Sequence, residues 1–269
     1  MEILQAVLLG IIEGLTEFLP ISSTGHLIVA QDFIGYYDVS KMFTVVIQTG
    51  AIAAVIWFYR RMLWQLVKGL FNGDKALIRF WIVWVLATIP AGVFGLLFDS
   101  KLEAYAVPLT VAIALIVGGV VILLIEKYHH SPASSKEAKF ETITFRQSVL
   151  IGLYQVLALI PGVSRSGATI MGGMLSGVDR VTATAFSFFL GIPVLLLAGA
   201  YKLLTDDISS VEGGTPAIIA GTIAAFVTAL VVVSWLLKYV SRHDFKVFAY
   251  YRIVFGTLLL GLIATGTLG

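Results

Sequence analysis

The sequence predicts an all-α polytopic membrane protein: six full transmembrane helices plus two re-entrant helical hairpins arranged as inverted repeats. Three observations carry that reading. Of the 269 residues, 58% are hydrophobic and only 13% charged, about half the charge of an ordinary soluble domain. Six apolar stretches approach the roughly 20 residues a helix needs to cross the hydrocarbon core. Two further apolar stretches, one in each half, are interrupted by proline and a polar run. So little charge excludes a soluble enzyme, a disordered chain and a nucleic-acid binder. The net charge of +2 comes from scattered residues, not a basic stripe. The chain has no cysteine, hence no disulfide framework, thiolate metal site or thiol nucleophile.

The first element, residues 3–19, carries Glu13 and Glu17, stops at Pro20 and Ser22-Ser23-Thr24-Gly25-His26, and resumes as a short apolar piece at 27–34. It is a poor signal peptide, with no basic n-region and two acids in place of the apolar h-region. The full spans are expected at 42–59, 78–98 and 106–125, then at 181–201, 217–237 and 247–267. A lipid-embedded backbone must satisfy its own hydrogen bonds, so these are helices. The short alternating segments of a membrane β-barrel are absent. Arg60, Arg61 and Lys68 interleave with Leu63, Trp64, Leu66, Val67, Leu70 and Phe71, a pattern that suits an interfacial helix or a plain basic loop. Residues 127–144 form the one hydrophilic linker and divide the chain. The second interrupted element, 145–160, stops at Pro161-Gly162 and Ser164-Arg165-Ser166-Gly167 and resumes at 168–175.

Basic loops face the cytoplasm. Arg60, Arg61, Lys68, Lys75 and Arg79 place the first connection inside. Residues 99–103 hold one lysine against two acids and face out. Lys127, Lys136, Lys139 and Arg146, with His129 and His130, place the linker inside. Asp206, Asp207 and Glu212 face out, and Lys238, Arg242, Lys246 and Arg252 return the chain inside. The alternation closes only if both interrupted elements are re-entrant hairpins, with both termini outside.

The halves resemble one another at an offset of 142 residues: Gly10 and Glu13 fall on Gly152 and Gln155, and Ser22-Ser-Thr-Gly25 on Ser164-Arg-Ser-Gly167. Three intervening spans reverse the second copy, so the expected units are an inverted pair. They cover 1–126 (hairpin 2–36) and 145–269 (hairpin 145–178), joined by the linker within one membrane domain. Inverted repeats with broken helices place their site where the breaks meet.

The polar residues there carry the chemistry. Glu13 and Glu17 share one helix face at i, i+4, and acids in the membrane are functional by default. Facing carboxylates suit a divalent cation (Mg²⁺ or Ca²⁺) or a general base. The first tip offers Ser22, Ser23, Thr24 and His26 where a helix restarts, and free N–H groups at a helix start bind anions. On the second tip Arg165 needs an anion, either the Glu13/Glu17 pair or a phosphate, which its fork matches. Gln155 supplies a neutral amide. Gly173-x-x-x-Gly177 suits close helix packing, within the chain or in a homodimer.

Glu13-Gly-Leu-Thr-Glu17-Phe-Leu-Pro-Ile-Ser-Ser-Thr-Gly-His26 and Pro161-Gly-Val-Ser-Arg-Ser-Gly-Ala-Thr169 resemble the two signature motifs of the bacterial undecaprenyl-diphosphate phosphatases, the bacitracin-resistance family. The resemblance covers essentially the whole chain and both motifs match throughout. It implies hydrolysis of undecaprenyl diphosphate, a polyprenyl lipid, to the monophosphate carrier and inorganic phosphate at the outer face of the inner membrane. It also implicates Glu13, Glu17, Ser23, His26, Ser164, Arg165 and Thr169. On that reading Ser23 is the nucleophile with Glu17 as its base, a water activated by the Glu/His set being the other route. His26 orients Ser23 or protonates the leaving group, and Glu13 tunes Glu17 or shares a metal with it. Ser22, Thr24, Gln155, Ser164, Arg165, Ser166 and Thr169 hold phosphate. The rival function is a secondary transporter or flippase of a prenyl phosphate lipid, since inverted repeats with broken helices are transporter architecture.

Overall fold

The computed structural model describes residues 2–36, 38, 40–103, 105–129, 137–208 and 211–268, and the backbone alone at 99–103. His130 and Lys136, counted above in the linker, lie outside the described residues, as do the side chains of the charged residues in 99–103.

The chain is an all-α membrane protein. Its helices are α1 (Ile3–Thr16), α2 (Ser23–Ile34), α3 (Met42–Phe58), α4 (Arg60–Phe71), α5 (Lys75–Glu103), α6 (Pro108–Tyr128), α7 (Phe145–Val156), α8 (Arg165–Leu175), α9 (Arg180–Thr205), α10 (Gly214–Val240) and α11 (Lys246–Ala264). Single 3₁₀ turns lie at Phe140–Thr142 and Leu157–Leu159. Helices α5, α6, α9, α10 and α11 are long and apolar enough to cross a membrane. Helix α3 has 17 residues, about 26 Å of rise, and bends by 74° into α4. The bend turns the basic segment aside, and α4 leaves Trp64 and Phe71 exposed. Its cations sit over rings, Arg60 over Trp57 at the end of α3 and Lys68 over Trp64. That is the composition of an interfacial helix.

The two halves pack in matching ways. Helix α1 lies along α10 and α7 along α5; α3 also packs on α10 and α9 on α5. Two further seams, α3 with α9 and α6 with α11, each join helices at corresponding places in the two halves. The hairpin helices approach their partners through glycine. A Cβ at Gly10 would fall 2.2 Å from the Gly221 carbonyl oxygen, and one at its mate Gly152 2.7 Å from that of Ala87. Only a residue without a side chain permits backbones this close.

Both hairpins turn by the same device. Ser22 (φ 70°) and Ser164 (φ 77°) hold left-handed backbone at the residue before α2 and α8, a conformation costly for a residue with a Cβ. Each hydroxyl repays it by accepting the N–H of the glycine three residues on, Gly25 or Gly167. Serine as N-cap satisfies one of the orphan donors of a helix start.

The structure corrects several expectations. Residues 99–103 continue α5 instead of forming an outer loop, for Asp-Ser-Lys-Leu-Glu contains no helix breaker. The linker is not simply solvated: Phe140 and Ile143 are buried, and Arg79 donates to the carbonyls of Glu141 and Ile143. Gly173 faces Ala183 within the chain, and Gly177 (φ 86°) belongs to the turn after α8, so their spacing reports internal packing. Arg252 is not one of the charges of the last basic loop: it is 1% exposed, which leaves Lys238, Arg242 and Lys246 there.

Candidate active site

Where α1 ends and α2 and α8 begin, three predicted residues meet. Glu17 is the C-cap of α1, Ser23 the first residue of α2 and Arg165 the first residue of α8. Ser23 Oγ donates to Glu17 Oε2 at 2.5 Å. Arg165 Nη2 donates to the other oxygen, Oε1, at 2.9 Å. One carboxylate therefore bridges a hydroxyl from the first half and a guanidinium from the second, 148 residues away in sequence. All three side chains are nearly withdrawn from solvent: Glu17 is 7% and Arg165 11% exposed in their pair, and Ser23 is buried.

The arginine is aimed by α9. Its Nη1 donates to the Ser187 carbonyl at 2.6 Å, and Gly191 clears the space, since a Cβ there would stand 2.7 Å from Nη1. The guanidinium lies over Phe18, whose edge meets Phe188. Among the described residues its Nε has no partner. Arg165 is thus held by one carboxylate oxygen and one carbonyl with a donor in reserve.

The sequence profile described as Bacitracin resistance protein BacA matches residues 6–258. The chain is 48% identical to Undecaprenyl-diphosphatase 1 of Burkholderia lata, over 96% of this chain and 94% of that one. It is 45% identical to Undecaprenyl-diphosphatase of Neisseria gonorrhoeae, over 98% and 96% of the two chains. With Undecaprenyl-diphosphatase 3 of Acinetobacter baylyi it shares 46% identity over 96% and 97%. The chain belongs to the BacA family.

Other predicted residues of this BacA-family chain stand differently from what their spacing suggests. The i, i+3 relation does not bring His26 to Ser23. Its Nδ1 lies 2.7 Å from the Ser22 carbonyl and its Nε2 2.6 Å from the Tyr251 hydroxyl, and the ring stacks on Tyr251 and Phe255. A carbonyl only accepts, so Nδ1 carries the proton, and in the neutral ring Nε2 accepts from Tyr251. Both nitrogens are occupied, Nδ1 by the start of its own helix and Nε2 by α11. Ser166 Oγ donates to the Leu19 carbonyl, stitching the second tip to the first. Thr169 Oγ1 engages the Arg165 carbonyl and Ser187 Oγ. The hydroxyls of Ser22, Ser164, Ser166 and Thr169 thus all take part in caps or in stitching the tips and α9 together. Thr24 is exposed at the rim.

Glu13 is fully buried beside Glu17 and within electrostatic reach of Arg165, and among the described residues neither of its oxygens has a donor. The amide of Gln155, buried in the second half, is likewise without a partner among them. Among the described residues no group of three or more His, Cys, Asp or Glu is placed to hold a metal. Two carboxylates with substrate phosphates are nevertheless the hard-oxygen ligand set on which Mg²⁺ is bound in phosphate sites. The pair fits that ion as a shared, not self-contained, site.

The functional residues missed from sequence are Tyr251 and Ser187. Tyr251 reads as an ordinary interfacial aromatic. Ser187 acts on Arg165 through its carbonyl, for which no residue type is a signal.

Proposed function

We propose that this chain hydrolyses undecaprenyl diphosphate to undecaprenyl phosphate and inorganic phosphate, with the Ser23–Glu17–Arg165 constellation as its reaction centre. This returns the lipid carrier to cell-wall synthesis and underlies bacitracin resistance. The observation that carries the reading is the shared Glu17 carboxylate, which holds a nucleophile's proton on one oxygen and a phosphate-binding cation on the other.

Phosphoryl transfer demands positioning and charge neutralisation more than covalent help. An arriving terminal phosphate competes for the Arg165 fork, whose geometry matches phosphate oxygens. Transfer of the guanidinium to the phosphate frees Glu17 to take the Ser23 proton as Oγ attacks phosphorus. The lipid monophosphate leaves with the bridging oxygen, and water then hydrolyses the phosphoserine, releasing phosphate and restoring the hydroxyl. The N–H groups at the starts of α2 and α8 stabilise the equatorial oxygens. Glu13 and Glu17 would hold a divalent cation when one is present, and such an ion supplies further neutralisation of phosphoryl charge.

The matching packing of the halves supports two inverted repeats, 1–126 and 145–269, with the reaction centre where the two tips meet. With both hairpins entering from opposite faces, we place the protein in the bacterial inner membrane with the site open to the outer side, so that the isoprenoid tail stays in lipid. Acid quench of the purified enzyme during turnover of substrate labelled in the terminal phosphate tests the chemistry. Label on Ser23, lost in Ser23→Ala together with turnover, is the expected result. Wild-type hydrolysis by Ser23→Ala, with Glu17→Gln inactive, overturns the serine route and installs a Glu17-activated water.

A further inference from the structure

Among the described residues Arg252 on α11 is the largest fully buried side chain, 1% exposed, and no acid lies within ion-pair distance of it. Its five N–H donors are all used, and every acceptor is a backbone carbonyl. Nε donates to Leu115 at 3.2 Å; Nη1 to Pro20 at 3.1 Å and Val163 at 3.0 Å; Nη2 to Ala114 at 2.9 Å and Gly162 at 3.1 Å. A buried charge is costly unless its hydrogen bonds are complete, and here they are complete without an anion.

The acceptors say what the residue does. Pro20 belongs to the first tip and Gly162 and Val163 to the second, and Pro20 and Gly162 are mates at the repeat offset. Each stands two residues before its left-handed serine, Ser22 or Ser164. Ala114 and Leu115 anchor the same guanidinium to α6. The neighbouring helix is shaped for it: a Cβ on Gly118 would come within 2.2 Å of Nη2. Resting on the proposed reaction centre between the tips, we infer that Arg252 is a positioning residue, a clasp that, beside the Ser166–Leu19 hydrogen bond, fixes the first tip against the second and thereby sets Ser23 relative to Arg165. Its planar five-donor fork is the requirement; a lysine, with three donors, cannot hold five carbonyls.

The test uses the full-length enzyme in detergent with undecaprenyl diphosphate, and reads kcat, KM and thermal midpoint for Arg252→Lys, Gly118→Ala and the double variant. A misplacement of about 1 Å costs about 10²-fold in rate. We expect kcat per folded molecule to fall by about that factor in Arg252→Lys with KM little changed. Gly118→Ala, which keeps the charge but displaces the fork, should lower kcat in the same direction. The double variant should fall no further than the worse single one, because both break the same clasp. Should Arg252→Lys fail to fold, Gly118→Ala alone carries the test. Full kcat per folded molecule with only a lowered midpoint, or multiplicative losses in the double variant, overturns the inference. Ser23→Ala and Arg165→Ala measured alongside separate the two claims: if they stay active, the reaction centre itself is wrong; if they are inactive while the clasp variants are not, only the clasp is.

Discussion

The two hairpin tips have the same backbone and opposite chemistry. Both bend through a serine with positive φ, both cap the following helix with that serine, and both restart with a glycine two residues into the new helix. At matched positions, however, Glu13 faces Gln155, Glu17 faces Leu159, Ser23 faces Arg165 and His26 faces Ala168. The first tip keeps the acids and the hydroxyl, and the second keeps the cation. The difference teaches that the repeat supplies a scaffold for two helix starts pointing at one place, and that catalysis needs the copies to diverge. Two identical tips would set like charges together, which is unfavourable in a low-dielectric site.

That division can be broken at either tip. Glu17→Gln removes the general base from the first, and a base of this kind contributes about 10²–10⁴ in rate. Phosphate release should fall accordingly, with the lipid diphosphate still bound. Arg165→Ala removes the cation from the second and should cost about 10²–10³ in turnover, while Arg165→Lys keeps the charge without the fork and remains severely impaired. Near-normal turnover in Arg165→Ala would make the arginine a structural partner of Glu17 alone. Tyr251→Phe probes the histidine that has no counterpart. Loss of one hydrogen bond is worth about 1 kcal/mol, so activity should drop by less than about tenfold; a loss as large as that of Glu17→Gln would put His26 in the chemistry. The smallest effects belong to what the tips share. Ser22→Ala and Ser164→Ala each lose an N-cap worth about 1 kcal/mol, and should lower thermal stability by similar amounts, read as the shift in unfolding midpoint. Unequal shifts would show that the two turns are alike only in outline.

Much of this was legible in the sequence for a physical reason. Spans announce themselves by length and apolarity, and the hairpins by proline followed by serine, threonine and glycine. Glu17 and Arg165 stood out because an ionisable residue in an apolar surrounding needs a partner, and Ser23 through the motif that follows the proline. What escaped is what depends on partners remote in the chain. His26 has the right spacing to Ser23, but spacing is blind to Tyr251, 225 residues away, which claims its Nε2. Arg252 looked like one more basic residue after a span, because its five acceptors are carbonyls that no residue type betrays. The hydroxyls of Ser164, Ser166 and Thr169 read as phosphate ligands, and the sequence is blind to the helix start, the Leu19 carbonyl and the Ser187 hydroxyl that they also engage.

The packing of the hairpin helices bears on how the chain is made. Helix α7 comes off the ribosome after α5, so its partner is already there when it appears. Helix α1 lies along α10, whose residues follow it by some two hundred positions, with Gly10 seated on Gly221. The first hairpin must therefore wait in the bilayer, its glycine face uncovered, until nearly the whole protein has been synthesised. Contacts between such distant segments form late and slowly. A nascent chain halted before α10 would hold Glu17 and Ser23 but no docked α1, and the same interlock makes the finished halves hard to pull apart.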